Sequence, residues 1–137
     1  MHETATIAMP AFRYNVGKGR SAFHTHINAG KLKMLIPDIG NWQRQDSESS
    51  VTELKNQLLE TGLFLWYPLL IAIRTKVSFE TLDPARKNFG ILKISLDSDI
   101  FLVDGSRRYR AINAAIEDRP ELAKVEIPLS FYDRMAM

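Results

Sequence analysis

The stretch that decides the fold is Ile100–Ile116, which reads IFLVDGSRRYRAINAAI. Four apolar residues lead into Asp104-Gly105, and an arginine-rich amphipathic segment follows directly. This order predicts a buried strand, a glycine turn and a helix. The first turn of a helix presents unpaired backbone N–H groups, and the helix dipole attracts anions there. The stretch therefore predicts an anion site, and the anion most typical of such a turn is a phosphate.

The predicted phosphate or nucleotide site consists of Asp104, Gly105, Ser106, Arg107 and Arg110. Arg107 and Arg110 stand three positions apart on the predicted helix, so both guanidinium groups can bracket one anion. A carboxylate beside a bare phosphate is repulsive, which leaves two roles for Asp104: it caps the helix or it holds Mg²⁺. The structural alternative for the arginines is solvation, or ion pairs with Glu117 and Asp118.

Candidate pocket or DNA contacts outside this site are Lys18, Arg20, Gln43, Arg44 and Arg108. Lys18 and Arg20 belong to a Gly-Lys-Gly-Arg stretch that lacks the Gly-Lys-Ser/Thr ending of a P-loop and is equally typical of a hairpin turn. Arg108 points away from the other two arginines and is the one most expected at the surface. His24 and His26 share one strand face, which is half of a zinc site without an apparent third ligand.

The amino-acid composition indicates a globular domain and excludes several kinds of site. The chain has 137 residues, of which 45% are apolar and 25% charged, as in an ordinary globular domain. It has no cysteine, which excludes disulfides, thiolate zinc sites and cysteine nucleophiles. The longest apolar run, Leu63–Ile73, contains Pro68 and is shorter than the roughly 20 residues of a membrane span, so no membrane segment is predicted.

Charge is distributed unevenly along the chain. The net charge is only +2, but residues 1–37 contain five lysines and arginines against Glu3 as the single acid. A second basic cluster is the arginine triplet that follows Gly105. A nucleic-acid partner is compatible with this distribution, although the overall balance does not demand one.

Periodicity predicts strands and helices that alternate within one α/β (α+β) domain, built on a mixed β-sheet flanked by helices. We expect strands at Ala11–Val16 and Lys31–Ile36, and a helix that begins with a Ser50/Glu53 capping box and ends at Gly62. A buried strand follows Pro68, and a half-buried strand over Leu92–Leu96 is expected to form a hairpin with Ile100–Val103. The arginine-rich helix should bury Tyr109, Ile112, Ala115 and Ile116, before a short helix at Pro120 and a last strand at Val125–Tyr132.

Two segments carry a family resemblance. VTELKNQLLETGLFLWYPLLIAIR from Val51 and FLVDGSRRYRAINAAI from Phe101 resemble the ParB/sulfiredoxin-type domain, with its helix ending in Gly, apolar strand and later strand–G-x-R-R–helix box. The ParB box has an acidic residue after the Gly, where this chain has Ser106. The resemblance implies a single ParB/sulfiredoxin-like domain over residues 1–137.

A narrower resemblance rests on Asp104-Gly105-Ser106-Arg107-Arg108. DGSRR is similar to the DGQHR signature of the DndB-type proteins associated with DNA phosphorothioation, with Ser106 in place of Gln and Arg107 in place of His. The flanking GILKISLDSDIFLV and the later PELAKVEIPLSFYD fit the same family, and the likeness extends from about Met9 to Asp133. DndB proteins are generally longer, which implies that this chain is a short relative or a piece of a longer protein.

The resemblance implies a prokaryotic, cytoplasmic, nucleoid-associated protein that acts on DNA in a modification-restriction system, as a transcription regulator or beside its other proteins. It also implies that the DG box binds phosphate or nucleotide. The alternative is a ParB-like NTPase that uses ATP, GTP or CTP, with Mg²⁺ on Asp104 and the phosphates on Arg107 and Arg110. A third hypothesis is an interaction domain that binds neither ligand. Oligomeric state is not predicted.

Overall fold

A computed structural model describes residues 5–37, 47–64, 67–74, 77–97 and 99–133. Within these residues the chain forms seven strands, three α-helices and two short 3₁₀ helices. The strands are β1 (Thr6–Gly17), β2 (Arg20–Asn28), β3 (Leu69–Ile73), β4 (Ser78–Thr81), β5 (Phe89–Ser95), β6 (Ile100–Asp104) and β7 (Glu126–Asp133). The α-helices are α1 (Leu32–Leu35), α2 (Glu48–Thr61) and α3 (Ser106–Asp118), and the 3₁₀ helices are Ala29–Lys31 and Pro120–Lys124.

The seven strands form one mixed sheet in the order β4-β5-β1-β2-β7-β3-β6. β3 runs parallel to β7, and every other neighbouring pair is antiparallel. This confirms the predicted α+β class with a mixed sheet. The predicted hairpin between β5 and β6 is wrong, because both edges of β5 are already paired, with β1 and with β4. β6 instead closes the opposite edge of the sheet beside β3.

The hydrophobic core lies on one face of the sheet. Alternate strand residues such as Met9, Ile71 and Phe131 join buried residues of the helices, such as Leu58 and Ile112, in a single cluster. Burial of this apolar area supplies most of the driving force for folding. The helices that contribute to the cluster therefore cover the same face, so the predicted flanking by helices is one-sided in the described part of the chain.

Residues Lys31–Leu35 are helical, and the predicted strand over Lys31–Ile36 is wrong. Leu32, Leu35 and Ile36 are buried, whereas Met34 is half exposed. Both a strand and a helix fit this apolar pattern, but strand alternation would bury Met34 together with Leu32, while helical spacing buries Leu32 with Leu35 and Ile36. The core selects the helical pattern.

Helix α2 begins three residues before the predicted capping box. Ser47 is the N-cap, and its hydroxyl oxygen accepts a hydrogen bond from the Ser50 backbone N–H at 3.2 Å. Glu53 lies inside the helix rather than at the third position of the first turn. The predicted end is confirmed, since Gly62 is the C-cap with a left-handed φ of 68°, the conformation that favours glycine.

Replacement of Ser47 by alanine should therefore lower the free energy of unfolding by about 1 kcal/mol, because one N–H of the first turn loses its acceptor. The control is Ser49→Ala, which removes a hydroxyl from the same turn and leaves the cap in place. Urea denaturation of both variants measures the difference. Equal stability of the two variants would contradict the assignment of Ser47 as the cap.

Candidate functional site

The DG turn lies between the end of β6 and the start of α3. Gly105 is the N-cap of α3 and has a φ of 106°, a region that L-residues rarely adopt. A Cβ at this position would overlap Leu69 Cδ2 and would lie 3.1 Å from Arg108 Nη2. The backbone conformation favours glycine here, and a larger residue would also have to displace the Leu69 side chain. The space beside Gly105 is thus filled by Leu69 and Arg108.

Asp104 is exposed at the end of β6 and Ser106 is buried as the first residue of α3. Within the described residues, the Asp104 carboxylate accepts no hydrogen bond from the first turn of α3, so the expected cap is not formed. The described ranges also contain no group of three His, Cys, Asp or Glu residues placed to hold a metal ion. Mg²⁺ beside phosphates often takes only one or two protein carboxylates, so the Mg²⁺ role of Asp104 stays a prediction.

The prediction that Arg108 is the most surface-exposed of the three arginines is wrong, because Arg107 is more exposed than Arg108. The Arg108 side chain is half-buried, and its Nη1 donates a hydrogen bond to the backbone carbonyl of Tyr67. This bond links the first turn of α3 to the segment that leads into β3. Tyr67 itself is highly exposed, whereas Phe64 belongs to the core.

Arg110 lines a cleft of about 310 Å³ at the surface. Five residues of α3 form one wall at helical spacing. The other wall comes from Lys33 of α1 and from Pro37, two residues beyond the end of that helix. The lining residues are Lys33, Pro37, Tyr109, Arg110, Asn113, Ala114 and Glu117.

A buried contact between α1 and α3 builds this cleft. The Tyr109 hydroxyl donates a hydrogen bond to the backbone carbonyl of Ile36, just after α1. The bond satisfies one of the carbonyl groups that a helix end leaves without an intrahelical partner. It also holds the end of α1 against α3, which brings Lys33 to the same cleft as Arg110.

The charge at the cleft comes from Lys33 and Arg110, with Glu117 as the one acid among its lining residues. Arg107 is exposed one turn earlier on α3, outside the cleft lining. Within the described residues neither arginine forms an ion pair. Asp118, a predicted alternative partner, is 2.7 Å from Lys55 Nζ of α2 instead. Both guanidinium groups therefore retain their capacity to bind an anion.

Lys18 and Arg20, two further predicted contact residues, do not line this cleft. Lys18 and Arg20 lie at the β1–β2 hairpin turn, which confirms the turn predicted for Gly17–Gly19. β7 and β3 separate β2 from β6, whose end carries the DG turn. Gln43 and Arg44 lie outside the described residues.

His24 and His26 are exposed on the same face of β2, as predicted, and each has a different neighbour. His24 Nδ1 lies 3.0 Å from the Ser130 hydroxyl, and His26 Nδ1 lies 3.5 Å from a carboxylate oxygen of Glu126. As noted above, the described residues offer no three-ligand metal site.

Lys33 is the residue of the cleft that sequence reasoning missed. It was placed on a predicted strand, where it would not face the arginine-rich helix. The i, i+3, i+4 spacing of Leu32, Leu35 and Ile36 was the available signal for a helix. A four-residue helix is too short for that spacing to stand out from strand alternation.

Among the described residues, no helix has the length and apolar character needed to cross a membrane. Comparison with curated proteins and with solved structures gave no match. Comparison with protein families matched residues 21–135 to the DndB family, described as DNA-sulfur modification-associated. This range includes the cleft, the DG turn and all of β2 except its first residue, and it covers most of the chain. The chain therefore belongs to the DndB family of proteins associated with DNA sulfur modification.

Proposed function

We propose that this protein is a DNA-binding regulatory component of a DNA phosphorothioation system, and that it holds the phosphate backbone at the cleft of Lys33 and Arg110. The observation that carries the proposal is the convergence of these two cations, from separate helices, with no ion pair to either within the described residues. DNA backbone contacts are made mainly by arginine and lysine, together with amides and helix ends. Membership of a family associated with DNA sulfur modification supports DNA as the source of these phosphates.

The position of Arg107 supports an extended backbone contact. It is exposed on α3 close to Arg110, and its charge lies outside the cleft. A row of cations suits the regularly spaced phosphates of a strand. The packed space beside Gly105 favours the cleft, rather than the turn itself, as the place where a phosphate binds. Asn113 adds a neutral donor to the same wall.

Replacement of Arg110 by alanine should weaken duplex DNA binding about tenfold at 0.1 M salt, because each phosphate contact contributes about 0.9 to the slope of log K against log salt. Lys33→Ala should have a similar effect. Binding is measured by fluorescence anisotropy with a labelled duplex over a salt series. Each variant should lower the salt slope by about one, largely irrespective of DNA sequence.

The control is Lys124→Ala, which removes one positive charge from an exposed position outside the cleft lining. Its affinity and salt slope should stay close to those of the unmodified protein. Absence of duplex binding by the unmodified protein at low salt would overturn the proposal. So would equal losses in all three variants, because they would indicate a general charge effect.

A further inference from the structure

The face of the sheet opposite the core carries a group of aromatic side chains. Strand pairing places Phe89, Phe12 and His24 in one row across β5, β1 and β2. The next row contains Tyr14, Ala22, Tyr132, Ala72 and Phe101, across five adjacent strands. Ala22 and Ala72 are buried but do not belong to the core cluster. Larger neighbours on this outer face therefore cover them.

The most exposed part of this face is the trio of Phe12, Tyr14 and Phe89, which we call the aromatic platform. These side chains are 39%, 38% and 57% exposed. Phe12 and Tyr14 are stacked with ring centroids 6.5 Å apart and planes inclined by 25°. Phe12 and Phe89 meet edge to face at 5.1 Å. The rings hold one another in place and leave broad surfaces open to solvent.

Exposure of several aromatic side chains to water is unfavourable, and the packing of the sheet does not require it. A sheet with one solvated face normally carries polar residues there, and grouped exposed apolar side chains mark binding surfaces. Val16, on the same strand beyond Tyr14, extends the platform and is 52% exposed. These residues contribute little to the core, because they point away from it. Their arrangement is suited to binding a flat apolar partner.

Basic side chains border the platform. They lie in the β1–β2 turn and in the loop that leads into Phe89, and they are Lys18, Arg20, Arg86 and Lys87. None of the four forms an ion pair with a described residue. The acid of the same loop, Asp83, accepts a hydrogen bond from the Ala85 backbone N–H at 2.9 Å. Glu80, on the neighbouring edge strand, lies 3.6 Å from Lys93 Nζ. The border of the platform is therefore positive.

We infer that the aromatic platform binds single-stranded nucleic acid, with bases stacked on Phe12, Tyr14 and Phe89 and phosphates held by the basic border. Aromatic side chains on an open sheet face and flanking cations are the two elements of a stacking platform for unpaired bases. An apolar protein partner would use the rings but would gain nothing from four unpaired cations. The charge complementarity thus favours a nucleic acid.

This site is separate from the cleft of Lys33 and Arg110. The cleft belongs to α1 and α3, on the side of the sheet that the helices cover, whereas the platform belongs to β1 and β5 on the opposite face. The inference therefore does not depend on duplex binding at the cleft. The platform would bind unpaired bases, whose faces are not accessible in a duplex.

The test is fluorescence anisotropy with a short labelled oligothymidine. Phe12→Ala and Tyr14→Ala should each weaken binding by about 5-fold to 150-fold, since stacking of one base on an aromatic ring contributes about 1–3 kcal/mol. Phe12→Tyr and Tyr14→Phe keep the rings and should retain most of the affinity. When Phe12→Ala or Tyr14→Ala is introduced into protein that already carries Arg110→Ala, the fold-loss in oligothymidine affinity should be the same. This result would show that the platform acts independently of the cleft.

Two controls separate base stacking from other effects. Leu82→Ala removes an apolar side chain that is even more exposed, at 66%, from the loop outside the platform, and it should leave binding unchanged. An abasic oligonucleotide of the same length keeps the phosphates and should bind about as weakly as oligothymidine binds to the alanine variants. Circular dichroism confirms that each variant is folded.

Three results would overturn the inference. The first is no binding of oligothymidine at low salt. The second is the absence of a base-stacking contribution, shown by equal binding of oligothymidine and the abasic strand or by equal affinity of Phe12→Ala and the unmodified protein. The third is concentration-dependent dimerisation that Phe12→Ala abolishes, because the platform would then be covered by a second copy of the chain.

Discussion

Replacement of Phe131 by alanine should lower the free energy of unfolding by about 3–5 kcal/mol. Phe131 has no solvent exposure and lies on β7, between β2 and β3. Its direct partners are Phe23 on β2 and Ile71 on β3, both buried. The substitution leaves a cavity at the centre of the core, and the two flanking strands fix the backbone, so the site cannot collapse to fill it. Urea denaturation, fitted to two states, measures the loss.

The matched control for Phe131 is Phe89→Ala, which removes the same side chain from the solvated face. Phe89 loses its edge-to-face contact with Phe12, so the expected cost is about 1 kcal/mol or less. The difference between the two variants follows from the one-sided core. Similar losses in both variants would contradict this architecture, because they would require the outer face to be packed as well.

Replacement of Gly105 by alanine should cost about 2–6 kcal/mol. The positive φ contributes strain of about 1–3 kcal/mol, and the overlap of the new Cβ with Leu69 adds a packing cost of about 1–3 kcal/mol. The loop between β6 and α3 has to shift to relieve the contact. Thermal and urea denaturation of the purified variant measure the effect.

Gly62→Ala is the control for Gly105, since its φ of 68° is also positive but no heavy atom of a described residue beyond its chain neighbours and its own helix lies within 4 Å of the added Cβ. This variant should lose about 1 kcal/mol through backbone strain alone. Addition of Leu69→Ala to the Gly105 variant should recover part of the packing cost in a double-mutant cycle. Equal losses for the two single glycine variants, without coupling to Leu69, would contradict the packing argument.

The contacts around Gly105 change how the DG turn is interpreted. The glycine suggested a backbone left open for a phosphate, but the structure shows a close contact with Leu69 and Arg108. The sequence alone does not distinguish the two, because both need a residue without a side chain. The tertiary structure determines the position of Leu69 beside Gly105, through the pairing of β3 with β6.

The sequence determined the local elements of this protein. The β6–Gly105–α3 unit, the end of α2 at Gly62 and the burial of Tyr109, Ile112 and Ala115 in α3 all follow from residues within a few positions of one another. Conformational propensity, capping and helical periodicity act over that range, so they are readable in the chain. The predicted mixed α+β class followed from the alternation of these elements, and the family from the DG box.

Only the tertiary structure decided which elements meet. β6 pairs with β3 rather than with β5, the end of α1 reaches α3 through Tyr109, and the aromatic side chains of β1 and β5 gather on the uncovered face. Each outcome depends on competition among distant segments for the same core and the same strand edges. That competition depends on the packing of the whole domain, and no local pattern in the sequence encodes it.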